Sequence, residues 1–150
     1  MRFRWFTVLA ATTALVGVGA QAASAKVPAQ QLSRFKAIEV PFGTADSKWT
    51  NALEALSPKS SAAQVSKPCL AFVPALKTFD TALLKVGFTG KAAADANTIV
   101  SLNKQMITIM SSIRSVKTFE TEFSALSPKY LSVQESFAKD IGVPAVDVII

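Results

Sequence analysis

The chain contains no histidine. That removes the usual general base, the Ser-His-Asp and Cys-His arrangements, and the ligand sets most used for zinc, copper and non-haem iron. It also removes the Glu-x-x-His pairs that build di-iron sites in helical bundles. The six glycines form no phosphate-cradling loop. There is one cysteine, Cys69, so no disulfide can close within the chain. Basic residues are not clustered: the lysines from Lys26 to Lys139 stand singly, which gives no track for phosphates and makes nucleic acid an unexpected partner. With neither ligands nor catalytic constellations in view, no cofactor and no metal are expected, and the chain reads as a non-enzyme.

The longest apolar run lies at the start. Arg2 and Arg4 precede FTVLAATTALVGVGA (6 to 20), and QAASA follows, placing Ala23 and Ala25 in the A-x-A arrangement read by signal peptidase. The run is short for a membrane span, which needs about 20 residues. Residues 1–25 therefore read as a cleaved, Sec-type secretory signal peptide. The product would be secreted, or periplasmic and held in the cell envelope, with no stable membrane span after cleavage. Of the 16 basic residues, Arg2 and Arg4 leave with the leader, so the formal charge of +6 falls to +4. The remaining length, about 125 residues, suits one domain with its own core.

Residues 26–43, KVPAQQLSRFKAIEVPFG, carry two prolines and end in glycine. They predict an extended arm docking through Phe35, Ile38, Val40 and Phe42, and the alternation in FKAIEVPF would equally support a short edge strand. Residues 44–150 predict a single helical domain. A first helix over about 44–57 places Trp49, Ala52, Leu53 and Leu56 on one face. In the second, Val65, Cys69, Phe72, Leu76, Phe79, Leu83 and Val86 alternate steps of four and three, the repeat of a helix packed at a shallow angle on its neighbours. Pro68 is expected in its first turn and Pro74 deeper, where it should bend the helix.

A third helix from Thr89 or Gly90 carries Ile99, Leu102, Met106, Ile109, Ile113 and Val116. A fourth, starting near Thr118, carries Phe119, Phe123, Leu126, Tyr130, Val133 and Phe137, with Pro128 interrupting it and Gly142 ending it. AVDVII at the end is an apolar tail expected to dock. Together these predict an all-α fold: an antiparallel four-helix bundle with proline-kinked helices, an extended N-terminal arm and a short apolar C-terminal tail. The pentapeptide ALSPK occurs at 55–59 and again at 125–129, with Trp49 and Leu53 at the same offsets as Phe119 and Phe123. Read as a repeat, it implies two related hairpins; chance is the rival reading in a chain rich in these residues.

Few residues offer chemistry. Cys69 sits on the apolar repeat without a neighbouring base, which favours core packing over a nucleophile and leaves an intermolecular disulfide as the route to a linked dimer. Met106 and Met110, four apart, and Tyr130 could ligate a metal or haem, but at helical spacing they read as core. Glu120 and Glu122 diverge on a helix, and Asp80, Asp95, Glu135 and Asp140 read as solvated charges. The functional expectation is an exported, non-enzymatic helical-bundle binding or interaction protein of the cell envelope or extracellular space. An apolar small molecule, or a partner protein's helix, would sit between helices splayed at Pro74 and Pro128. The residues expected to line that site are Cys69, Phe72, Pro74, Phe79, Met106, Met110, Phe123 and Tyr130. The alternative is a structural or stress-related envelope protein that binds partners on its surface and holds no ligand. An enzyme using Lys, Glu, Tyr or Cys69 is the least favoured reading.

Overall fold

A computed structural model describes residues 27–57 and 59–149. The expected signal peptide, residues 1–25, lies outside the described residues. Four helices pack against each other: α1 (Ala29–Glu54), α2 (Ala62–Lys85), α3 (Gly90–Ser111) and α4 (Val116–Ile141), followed by a 3₁₀ turn over Ala145–Asp147. The fold is the all-α four-helix bundle the apolar repeats predict. Among the described residues there is no strand, and no helix is long and apolar enough to cross a membrane. Phe42 lies on Phe79 and Trp49 on Phe72, so numbers fall along α2 as they rise along α1 and the two helices run in opposite directions.

The extended arm is not found. Residues 29–43 belong to α1, which is helical from Ala29 and carries Pro41 in its interior. The physical reason lies in its packing seam. Leu32, Phe35, Glu39, Phe42, Asp46, Trp49 and Leu53 alternate steps of three and four, the repeat that faces a neighbouring helix. Two of those seven positions hold carboxylates, which breaks the apolar pattern, and Pro41 reads locally as a break. Burial of Phe35, Phe42 and Trp49 outweighs both, since each large side chain removed from water contributes about 1.5–3 kcal/mol.

The seams of α2 and α4 are found where their spacing puts them: every named residue from Val65 to Val86 and from Phe119 to Phe137 is buried. The start of α2 differs. It opens at Ala62, too early for Pro68 to lie in its first turn, because Ser61 and Gln64 form a reciprocal cap. The Gln64 N–H donates to Ser61 Oγ (3.3 Å) and the Ser61 N–H to Gln64 Oε1 (2.8 Å). Pro68 therefore lies in the helix interior with Pro74. The α3–α4 join is residues 112–115, and Ser115 caps α4 by accepting the Thr118 N–H at 3.0 Å. Gly142, at φ 76°, closes α4 in the left-handed conformation that glycine adopts without steric cost.

The seam of α3 is found in part: Ile99, Leu102 and Met106 are buried as expected, and the remainder differs. Its buried residues are Ala92, Ala96, Ile99, Val100, Leu102, Asn103, Met106 and Met110, whereas Ile109, Ile113 and Val116 are half-buried at the bundle's margin. The inward repeat therefore runs Ala92, Ala96, Ile99, Asn103, Met106, Met110, with an asparagine in the middle of the core.

Candidate functional site

Seven of the eight residues expected to line a ligand site are buried: Cys69, Phe72, Phe79, Met106, Met110, Phe123 and Tyr130. Pro74 is exposed. Three of the seven join a column of rings. Phe79 stacks on Phe42 at 4.2 Å between centroids, and Phe42 tilts against Phe72 at 5.7 Å. Phe72 stacks on Trp49 at 4.9 Å with the planes 3° apart, and Trp49 meets Phe123 at 5.7 Å. A second cluster, Phe35, Phe88 and Phe137, packs edge to face. Such pairs contribute beyond their buried area, by about 0.5–1.5 kcal/mol each. Phe72, Phe79 and Phe123, three of the rings expected to receive a ligand, thus pack on Phe42 and Trp49 of α1.

Cys69 is fully buried. Burial pushes its thiol up to about 11, with the Trp49 indole acting in the opposite direction. The Trp49 N–H itself is buried without a hydrogen-bond partner, so its influence on the sulfur falls short of a bond. A thiol in this state is a poor nucleophile, and a disulfide to a second copy would require opening the bundle.

Tyr130 is spent differently. Its hydroxyl donates to Asn103 Oδ1 at 2.6 Å, and Asn103 Nδ2 donates to Asp80 Oδ1 at 2.6 Å. This chain ties α4 to α3 and α3 to α2 through the core. Asp80, read from sequence as a solvated charge, is buried. Desolvation raises its pKa, against the Asn103 bond and nearby Lys104. Desolvation, with the charge of Asp80, also raises Tyr130 above the usual phenol range. Spacing alone could have revealed Asn103: it stands four after Ile99 and three before Met106. The arrangement holds three polar groups to one another in a fixed geometry. Among the described residues, no group of three or more His, Cys, Asp or Glu could hold a metal.

An open groove of about 510 Å³ runs along α1, lined by Lys36, Glu39, Val40, Gly43, Thr44 and Ser47, with Ile149 as its far wall. Those α1 residues are spaced three and four apart, so they form one stripe beside the packing seam. Val40 is 72% exposed and Ile149 42%.

The C-terminal tail is fastened here. Val148 is buried, and Gln134 on α4 donates to the carbonyls of Ala145 (3.1 Å) and Val148. Glu39 Oε1 accepts the Ile149 N–H at 2.9 Å. A Cβ at Gly43 would stand 2.9 Å from Ile149 Cδ1, so the glycine gives the end of that side chain room against α1. The tail bridges a seam in which the backbones of α1 and α4 approach less closely than those of the other neighbouring helices. Desolvation raises the Glu39 carboxyl, opposed by the Ile149 N–H and Lys36 and reinforced by Asp147. None of the eight expected site residues lines this groove. The chain matches no family model, and no curated protein or solved structure is similar enough to match.

Proposed function

We propose that the protein is an exported, non-enzymatic interaction protein of the cell envelope or extracellular space, and that it binds partner proteins at the α1 groove. The observation that carries this reading is the coincidence of an open groove with exposed aliphatic side chains, Val40 and Ile149, on a bundle whose core aromatics are packed on one another. Exposed apolar surface rimmed by polar groups is the usual mark of a protein-binding site. Lys36, Thr44 and Ser47 supply that rim. Binding of an apolar small molecule between the helices has less support, because Phe72, Phe79 and Phe123 already pack on Phe42 and Trp49.

A photo-crosslinking residue at Val40, compared with one at Leu84, tests the proposal. Leu84 is also exposed, at 50%, but lies on α2 outside the groove. In the exporting host, adducts are expected from position 40 and not from 84. Equal labelling from both positions would overturn the assignment. Turnover of a substrate by the purified chain alone would overturn the non-enzymatic reading.

A further inference from the structure

The inward repeats of the helices are not equally well specified. α2 and α4 set rings inward, Phe72 and Phe79 on one and Phe119, Phe123 and Phe137 on the other. α3 sets inward two alanines, two methionines, Ile99 and Asn103. Alanine offers only a small knob, and methionine adapts to whatever it meets. The apolar arc of α3 is also broad. Val100 and Leu102, both buried, stand two residues apart, so the buried surface spans about 160° of the helix. Half-buried Ile107 and Ile109 extend the same two flanks. An arc wider than the stripe of roughly 100° that a core face needs can be buried at more than one rotation. Hydrophobic burial alone therefore does not choose the setting of α3.

Asn103 stands near the middle of that arc, has no exposed surface, and bonds both helices that flank α3. Its side-chain N–H donates to Asp80 on α2, and its side-chain oxygen accepts the Tyr130 hydroxyl of α4, each at 2.6 Å. A turn of about 30° would carry even the Cα of Asn103, about 2.3 Å from the helix axis, by about 1 Å. With a partner on either side, that turn stretches one bond beyond hydrogen-bonding range and drives the other into contact. A buried polar group then stands unpaired at its full desolvation cost. The geometry points to the Asp80–Asn103–Tyr130 chain as a rotational lock on α3, which selects one setting from those that the broad apolar arc permits. Its contribution is to a single packing arrangement, which alanine and methionine contacts specify poorly.

The test replaces the lock by apolar groups of related shape, Asp80→Leu, Asn103→Leu and Tyr130→Phe, in the full chain carrying Ala96→Cys. Ala96 is buried seven residues before Asn103 and on the same face, so a turn of α3 brings position 96 toward solvent. Cys69, fully buried on α2, reports opening of the whole bundle. The lock-free chain is expected to keep its helical circular dichroism and to unfold in urea no earlier, since well-packed apolar replacements of buried polar groups are often neutral or stabilising. The thiol at position 96 should react with a maleimide at least tenfold faster than in the chain that keeps the lock, with Cys69 unchanged. Equal protection of position 96 with and without the lock overturns the proposal. So does a parallel rise at both thiols, which would be a general loosening of the bundle.

If the lock-free chain does not fold, Tyr130→Phe alone, with Ala96→Cys, takes its place. It removes one hydroxyl and leaves the Asn103 oxygen without its donor. Faster labelling at position 96 with Cys69 unchanged supports the lock. No change at position 96, or an equal rise at both thiols, overturns it.

Discussion

The pentapeptide Ala-Leu-Ser-Pro-Lys takes two forms in one molecule. At 55–57 it leaves the helix: α1 ends at Glu54, and Ser57 and Ser60 bond each other's backbone in the turn that follows. At 125–129 it lies wholly within α4. Five identical residues cannot explain the difference, so their surroundings must. Beyond the second copy stand Tyr130, Val133 and Phe137, all buried, and ending the helix at Pro128 would forfeit their burial. Beyond the first copy stand Ser60 and the Ser61–Gln64 cap, which start a new helix at once. Within the copies, Leu126 is buried and Leu56 only half-buried. The two ALSPK segments are therefore not corresponding parts of two similar hairpins. Packing decides where proline is tolerated, and local propensity decides only where packing is silent.

The sharpest way to test that contrast is to remove the same side chain from both copies. Leu126→Ala should cost about 2–4 kcal/mol in urea unfolding, and Leu56→Ala about 1 kcal/mol. Equal costs would mean that burial does not distinguish the copies. Next in size is Pro128→Ala, which restores an N–H to face the Ser124 carbonyl. The proline is exposed, so nothing packed is lost, and stability should rise by about 1–3 kcal/mol. A fall would show that the ring itself supports α4. Smaller again is Ser61→Ala, which removes the cap that starts α2 beyond the first copy. It should cost about 1 kcal/mol, with amide exchange at Gln64 rising more than at Leu76.

The smallest effect separates α1 from α4 by charge. The α1 seam holds Glu39 and Asp46, both raised by desolvation, while the named α4 seam holds no carboxylate. A carboxyl with a raised pKa in the folded state contributes stability that is complete below its ordinary value and is lost as pH climbs through the raised one. Lowering the pH from neutral toward 5 should therefore raise the urea midpoint relative to a Glu39→Gln, Asp46→Asn double variant. Parallel pH profiles would refute this role for the two carboxyls.

The same contrast explains what could be read from the sequence. The α2 and α4 seams are apolar at every step, so spacing alone located their buried residues. α1 hides because Glu39 and Asp46 occupy two steps of its repeat and Pro41 stands between them. α3 is legible as far as Met106, but Asn103 and Met110 take core positions that the apolar spacing assigns past Leu102 to Ile109 and Ile113. The Asp80–Asn103–Tyr130 chain depends on three helices meeting, and no single-helix pattern contains that. The groove was equally hidden. It needs a tail folded back 110 residues from Glu39, and its floor is a glycine that reads alone as a break.

Cys69 has a history as well as a position. In the folded bundle its sulfur touches no solvent, yet an unfolded chain offers it freely to any oxidant or to another chain. Cross-linking therefore belongs to the interval before the helices close, and ends when they do. The fraction of covalent pairs in a preparation becomes a stopwatch: quick closure yields free thiol, and slow closure leaves its record as dimers. A finished molecule keeps the same stability in reducing and oxidising buffer.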